Sequence, residues 1–289
     1  MLRFIFFKFF KFLVNVLPLT WSYKAAEGIA KVYCFFKRTE QEAVKRNLLA
    51  IDPEMKNLDA ASRAVFQNFS CYLVEFLMMF RLVNDKDLGQ RFEFRGFEHI
   101  EQYVKTGKPA IILTAHIGNW ELGGALLAKK GCAVTAVALQ HKESLVNNFF
   151  DQQRLLCGIE VASTAYAVKE CLKALKNNRI VAIVGDKDFT GSGSPADLFG
   201  HKIVLPRGAA LFAQRAHVPV IPTFLIRQGQ GHFVLHVYPP VTPEDIKLEK
   251  NKKFGVYEDL IIHQYTEALE DIIKKYPSQW IVFKEFWQS

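Results

Sequence analysis

The sequence predicts an α/β fold in which a mostly parallel central sheet is flanked by helices, preceded by a helical N-terminal part whose first segment anchors to a membrane. Three observations carry that expectation. After Gly96, short β-branched runs alternate with amphipathic stretches. Strands that read as continuous apolar runs separated by helices indicate a largely parallel sheet covered on both faces. Before Gly96 the texture is helical, and the chain opens with an apolar stretch, MLRFIFFKFFKFLVNVLPLT, unlike anything that follows.

Between Phe4 and Leu19 nearly every residue is apolar, but Lys8, Lys11 and Asn15 interrupt the run and Pro18 lies near its end. A comfortable transmembrane helix needs about 20 apolar residues without charges, so this segment is short of one. Lys8 and Lys11 share one helical face while Phe4, Phe6, Phe7, Phe9, Phe10 and Phe12 surround the rest, the pattern of a helix lying at a bilayer surface. No small-x-small cleavage site follows, which argues against a secretory signal. The alternative is a greasy first helix docked on its own domain.

From Trp21 to about Val83 helices are expected. Thr39 with Glu42 three residues on reads as a helix start, Asp52-Pro53 as a break, and Asp59 to Phe80 as a further helix ending in the apolar run CYLVEFLMMF. Strands are expected at Ala110 to Thr114, Val134 to Leu139, Ile180 to Gly185, Val218 to Ile226 and Phe233 to Tyr238. The last pairs antiparallel with its predecessor, because so short a connection allows no crossover. Helices are expected at Glu121 to Lys130, Ser144 to Cys157, Ala167 to Asn177, Arg207 to Ala216 and near Tyr257 to Lys275. With no internal repeat or low-complexity linker, residues 1–20 form the anchor and 21–289 one domain, helical over 21–95 and α/β over 96–289.

The 289 residues, half of them hydrophobic and 25 of them Phe, suffice for a large core. Lys plus Arg exceed Asp plus Glu by eight, which favours an anionic partner such as a phospholipid surface, a phosphorylated lipid or an acidic carrier protein. The basic residues are scattered and no nucleic-acid-binding motif appears. The five cysteines are widely spaced, without a C-x-x-C pair, and read as reduced core residues and not as a zinc site or disulfide framework.

The informative segment for chemistry is IILTAHIGNWELGG, from Ile111 to Gly124. A strand ends at Thr114, His116 follows, and Glu121 falls in the first turn of the next helix. Sites in open α/β sheets form at the carboxyl ends of strands. A hydrogen bond from one ring nitrogen of His116 to Glu121 fixes the tautomer and leaves the other nitrogen to take a proton from an alcohol. Among eight histidines His116 alone has an acid five residues on, about the number expected by chance. Its setting at a strand end beside Gly118 and Gly123-Gly124 raises it above noise. Asp186 and Asp188 follow another strand, Arg154 lies in the helical stretch FFDQQRLLCG, and the run Thr190-Gly191-Ser192-Gly193-Ser194 is a turn with backbone N–H groups free for a phosphate.

The string TAHIGNWELGG resembles the H-x4-D/E block of the lysophospholipid acyltransferase superfamily, in particular its lipid A biosynthesis lauroyl and myristoyl acyltransferases and the related phosphatidylinositol mannoside acyltransferases. GDKDFTGSGSPADLFGHKIVLPRGAALFAQRAHVPVIPTFLIR is similar to the family's D-x-D, F-F-G, L-P-x-G-x-x-x-L-A and V-x-P series. YPSQWIVF, from Tyr276 to Phe283, resembles its P-x-Q-W-x-W, and KRNLLAIDPE its N-L-x-x-x-x-P-E. The order and distances fit across nearly the whole chain. The loop after His116 reads IGNW, and ADLFG replaces the usual F-F-G stretch, with a T-G-S-G insertion similar to the inositol-mannoside branch.

The resemblance implies a lysophospholipid-acyltransferase-like fold and an O-acyltransferase without metal or cofactor. His116 is then the general base, Glu121 its orienting carboxylate, Arg154 a holder of oxyanion or phosphate, and Asp186 and Asp188 active-site acids. Gly118, Asn119, Trp120, Phe199, Gly200 and Arg207 are the candidate substrate-binding residues. The co-substrates implied are an acyl carrier protein or coenzyme A thioester and a glycolipid acceptor, a lipid A precursor or an inositol-mannoside-like lipid. The setting is a monomer on the cytoplasmic face of a bacterial inner membrane. Two rivals remain open, a thioester hydrolase and a catalytically silent lipid-binding protein. A serine hydrolase lacks its G-x-S-x-G.

Overall fold

The computed structural model describes residues 1–188, 191–243 and 253–287. Thr190, the first residue of the T-G-S-G-S run, lies outside them. In chain order come α1 (Leu2–Val16), α2 (Leu19–Phe36), α3 (Arg38–Ile51), α4 (Leu58–Leu77), α5 (Met79–Val83), α6 (Leu88–Arg91), β1 (Phe92–Arg95) and α7 (Glu98–Thr106). Then follow β2 (Ala110–Thr114), α8 (Trp120–Lys129), β3 (Val134–Ala138), α9 (Ser144–Leu156), β4 (Ile159–Ser163), α10 (Ala167–Lys176) and β5 (Ile180–Val184). The chain closes with β6 (Ser194–Leu198), β7 (His201–Leu205), α11 (Gly208–Ala216), β8 (Val220–Gly229), β9 (His232–Val237) and α12 (Lys253–Lys275).

Among the described residues seven strands form one sheet in the order β1-β9-β8-β2-β5-β3-β4. Every pairing is parallel except β8 with β9, the antiparallel pair expected from their short connection. The central strand β2 is buried along its whole length and alternates between two cores, as the two-residue period of a strand requires. Ile111 and Leu113 face a layer built from α3, the first half of α4, α10, α11 and α12. Ala110 and Ile112 face the layer of α5, α7, α8, α9 and the second half of α4. The mostly parallel, doubly covered sheet is therefore present as the sequence implied.

Four strands escape the sequence pattern for a physical reason. β1 and β4 are edge strands with one neighbour each, and their exposed faces carry Glu93, Arg95 and Glu160. β6 and β7 form a separate hairpin outside the main sheet. Its turn is Phe199-Gly200, both at positive φ (52° and 76°), the signature of the tight turn whose twist matches a hairpin.

No helix among the described residues is long and apolar enough to cross a membrane. Helix α1 instead has two apolar faces. Phe4, Phe7 and Phe10 pack on the second core, with Val14 buried in it. Ile5, Phe9, Phe12 and Val16, at three- and four-residue spacing, stay exposed, as do Trp21, Ile29, Val32 and Phe36 on α2. Truncating Ile111, at the crossing of sheet and helices with no exposed surface, should be costly: Ile111→Ala is expected to lower the unfolding free energy by about 2–5 kcal/mol in urea titration. Val204→Ala on the exposed hairpin should change it by less than about 0.5 kcal/mol.

Candidate active site

The parallel register of β2 and β5 pairs Thr114 with Val184. Two residues beyond that pair, at the carboxyl edge of the sheet, stand His116 and Asp186. Their side chains meet: His116 Nδ1 lies 2.7 Å from Asp186 Oδ1. The His116 backbone N–H also donates to Asp186 Oδ2 (3.2 Å), and the indole N–H of Trp280 donates to the same oxygen (3.1 Å). Asp186 is fully buried, whereas the His116 side chain keeps 25% of its surface exposed. Burial alone raises the carboxyl, but the imidazole beside it, Lys187 and the Trp280 donor outweigh that and bring it from 3.8 to about 2. An ionised acceptor at Nδ1 puts the ring proton there, so Nε2 carries the lone pair. Among the described residues Nε2 has no hydrogen-bond partner.

The carboxylate that orients His116 is thus Asp186, where the sequence suggested Glu121. Glu121 turns the other way and forms a two-pronged pair with Arg154 on α9, Nε to Oε2 at 2.9 Å and Nη2 to Oε1 at 2.6 Å. Arg154 Nη1 is held by Asp151 at 3.1 Å. The guanidinium is buried and three of its five N–H groups are given to Glu121 and Asp151, so the pair ties α8 to α9. The reason is local: in the first turn of a helix a side chain five residues from His116 points into the neighbouring helix and not back over the strand end.

The remaining candidates divide sharply. Trp120 lies against the site, its ring 4.9 Å from that of His116 and stacked at 4.4 Å on Tyr72. Gly118 has φ +60°, and a Cβ there would stand 2.0 Å from the carbonyl oxygen of Leu225. It is glycine because the loop touches β8. Asn119 has no exposed surface; its Oδ1 caps α8 at the Leu122 N–H (2.9 Å) and its Nδ2 donates to Glu75 (2.7 Å). Asp188 accepts from the Gly193 N–H (3.0 Å) and shapes the entry to β6. Phe199 and Gly200 make the hairpin turn, with Phe199 against Trp287, and Arg207 is paired to Glu258 at 3.0 Å. Asn119, Gly118, Phe199 and Gly200 therefore build backbone; of the proposed substrate-binding set, Trp120 is the residue beside the imidazole.

Several residues of the site were not legible beforehand. Glu75, fully buried on α4, accepts from Tyr23 Oη and Asn119 Nδ2 at 2.7 Å each, and from Arg227, whose Nη2 stands 3.2 Å from Oε2. Gln279 joins the same cluster, accepting from the Arg227 N–H (3.0 Å) and donating to the Arg227 carbonyl (2.7 Å). Its own carbonyl accepts from the Gly118 N–H (3.0 Å), and the Ile281 N–H donates to the His116 carbonyl (2.7 Å). A single acid within CYLVEFLMMF is the signal that was present, because a charge in so apolar a run must find a partner. Lys187, whose ammonium is pulled below the ordinary lysine value by burial while Asp186 opposes the shift, follows Asp186 in the chain with its Nζ 3.5 Å from the Ile281 carbonyl.

An imidazole with a buried carboxylate behind it and an open nitrogen in front has the geometry that general-base chemistry needs. The comparisons with known proteins agree with such chemistry. The profile of the family described as bacterial lipid A biosynthesis acyltransferase matches residues 2–289. A phosphatidylinositol mannoside acyltransferase of Mycobacterium tuberculosis is 27% identical over 71% of this chain and 67% of its own, and one of Mycolicibacterium smegmatis 26% identical over 85% and 79%. A lipid A biosynthesis acyltransferase of Haemophilus influenzae is 28% identical over 55% of this chain and 51% of its own. The match over nearly the full length, on a fold that sets a histidine and an acid together at the sheet edge, makes this chain an acyltransferase that belongs to the bacterial lipid A biosynthesis acyltransferase family.

Proposed function

We propose that the protein is an O-acyltransferase that moves a fatty acyl chain from an acyl carrier protein or coenzyme A thioester to a hydroxyl of a glycolipid, most simply a lipid A precursor. The observation that carries this is the His116–Asp186 pair with Nε2 unpartnered and the imidazole a quarter exposed. Nε2 takes the proton of the acceptor hydroxyl as its oxygen attacks the thioester carbonyl. The tetrahedral intermediate collapses, the C–S bond breaks, and the thiolate takes the proton back from Nε2. Asp186 holds the ring in the reactive tautomer and balances the imidazolium charge, and Trp280 holds Asp186. The Glu121–Arg154 pair acts on the stability of this arrangement. A mannosylated phosphoinositide acceptor is the second reading, supported by relatives of that name at 26–27% identity over 71–85% of the chain.

The exposed apolar faces of α1 and α2 support attachment to the surface of the inner membrane, on its cytoplasmic side, without a span. The net charge of +8 suits an anionic leaflet and an acidic carrier.

Incubating the protein with an acyl thioester and candidate glycolipids, and weighing the lipid products by mass spectrometry, tests the reading; thioester loss at the same rate without acceptor would mark a hydrolase. His116→Ala is expected to lower kcat by about 100-fold or more with little change in melting temperature, and Asp186→Asn to lower kcat as far and the melting temperature with it. Glu121→Gln should instead lower stability by about 3–5 kcal/mol, because it strands a buried guanidinium. The depressed Asp186 carboxyl contributes stability that is present above its ordinary 3.8 and lost as pH falls through about 2. Acid unfolding of Asp186→Asn should lack that component. Phe9→Asp with Val32→Asp, both at exposed positions, should weaken sedimentation with anionic vesicles by about tenfold or more while leaving the melting temperature unchanged.

A further inference from the structure

Helices α1 and α9 enclose a groove of about 640 Å³, within the size range of small-ligand sites. Phe4, Phe12 and Val16 form one wall, and Leu145, Phe149 and Leu156 the other. Lys8 and Lys11 stand on its α1 side, Lys8 Nζ 4.9 Å from the centre of the Phe4 ring and Lys11 Nζ 6.0 Å from that of Phe149. Neither ammonium pairs with a carboxylate among the described residues; the nearby Glu143 is taken by Arg3 and the N-terminal amine. Phe12 and Val16 also belong to the exposed apolar stripe of α1, each with 65% of its surface open, so the groove and that stripe meet at these two residues. None of His116, Glu121, Arg154 and Asp186 lines it. Leu145, Asn148, Gln152 and Leu156 share the groove face of α9 at helical spacing, and Arg154, two residues from either of the last pair, points to the opposite side.

We propose that this groove binds one acyl chain of an anionic phospholipid, with its headgroup phosphate on Lys8 and Lys11, at a site separate from the catalytic one. An apolar slot continuous with a bilayer-facing surface admits a hydrocarbon chain directly, and two unneutralised ammonium groups at its side select a negative headgroup. The reacting acyl chain is a different molecule, since its thioester must reach His116, which does not line the groove. The proposal rests on α1 facing the bilayer, as proposed above, and is independent of the chemistry at His116.

The test is photolabelling of the full-length protein in mixed micelles by phosphatidylglycerol carrying a diazirine at the end of one acyl chain. Saturable cross-links to residues 144–156 and to the Phe4 and Phe12 side of α1 are expected. Unlabelled phosphatidylglycerol should compete about tenfold better than phosphatidylcholine, and Lys8→Gln with Lys11→Gln should remove that preference. Asn148→Trp and Gln152→Trp, at exposed groove positions, should block labelling without lowering the melting temperature. Labelling confined to Ile5, Phe9 and α2, equal competition by the two lipids, or labelling indifferent to the tryptophans would overturn the proposal. His116→Ala should label like the parent chain while losing transfer, so failure of the groove and failure of the proposed reaction are told apart.

Discussion

The arrangement of the site depends on one buried carboxylate. Asp186 has no contact with water, and its two oxygens are filled by the His116 ring, the His116 N–H and the Trp280 indole. A charge so placed is tolerable only when every lone pair is answered. That requirement fixes three segments at once: the ends of β2 and β5, which the sheet already holds in register, and the segment after α12 that carries Trp280. The geometry of the candidate site and the fold thus share the same hydrogen bonds.

A second buried carboxylate does the same for the loop that follows. Glu75 gathers Tyr23 from α2, Asn119 from the His116 loop and Arg227 from β8, and Gln279 locks to the Arg227 backbone. Arg227 reaches further to Asn68 Oδ1 on α4 (2.6 Å). The helical N-terminal part is therefore the back wall of the site. The apolar exterior of α2 lies on the same helix as Tyr23, so that exposed surface and the loop that carries His116 are joined through one side chain.

Much of this architecture was legible in the residues. The buried strands β2, β3, β5, β8 and β9 announce themselves as apolar β-branched runs, and α8 to α11 as amphipathic segments between them. Edge strands such as β4, with Glu160 exposed, carry half the signal and read as loop. At the site, His116 and Asp186 were both legible as residues, but their partnership was not. Proximity in sequence favoured Glu121, and only the one-to-one register of β2 with β5 sets Asp186 opposite the histidine. Asn119 and Gly118 sat in the right motif for a different reason, one capping a helix and the other making room for the Leu225 carbonyl.

The sequence distances within the site also order events during folding. His116 and Asp186 are 70 residues apart, Trp280 and Asp186 94, and Glu75 and Arg227 152. Contacts closed over such spans form slowly, whereas a helix such as α1 is made of local bonds and forms on the microsecond scale. The phenylalanine-rich helix is thus on display before the sheet that receives its inner face exists. Folding therefore begins with an oily helix still uncovered, well before the distant partners of the site have met.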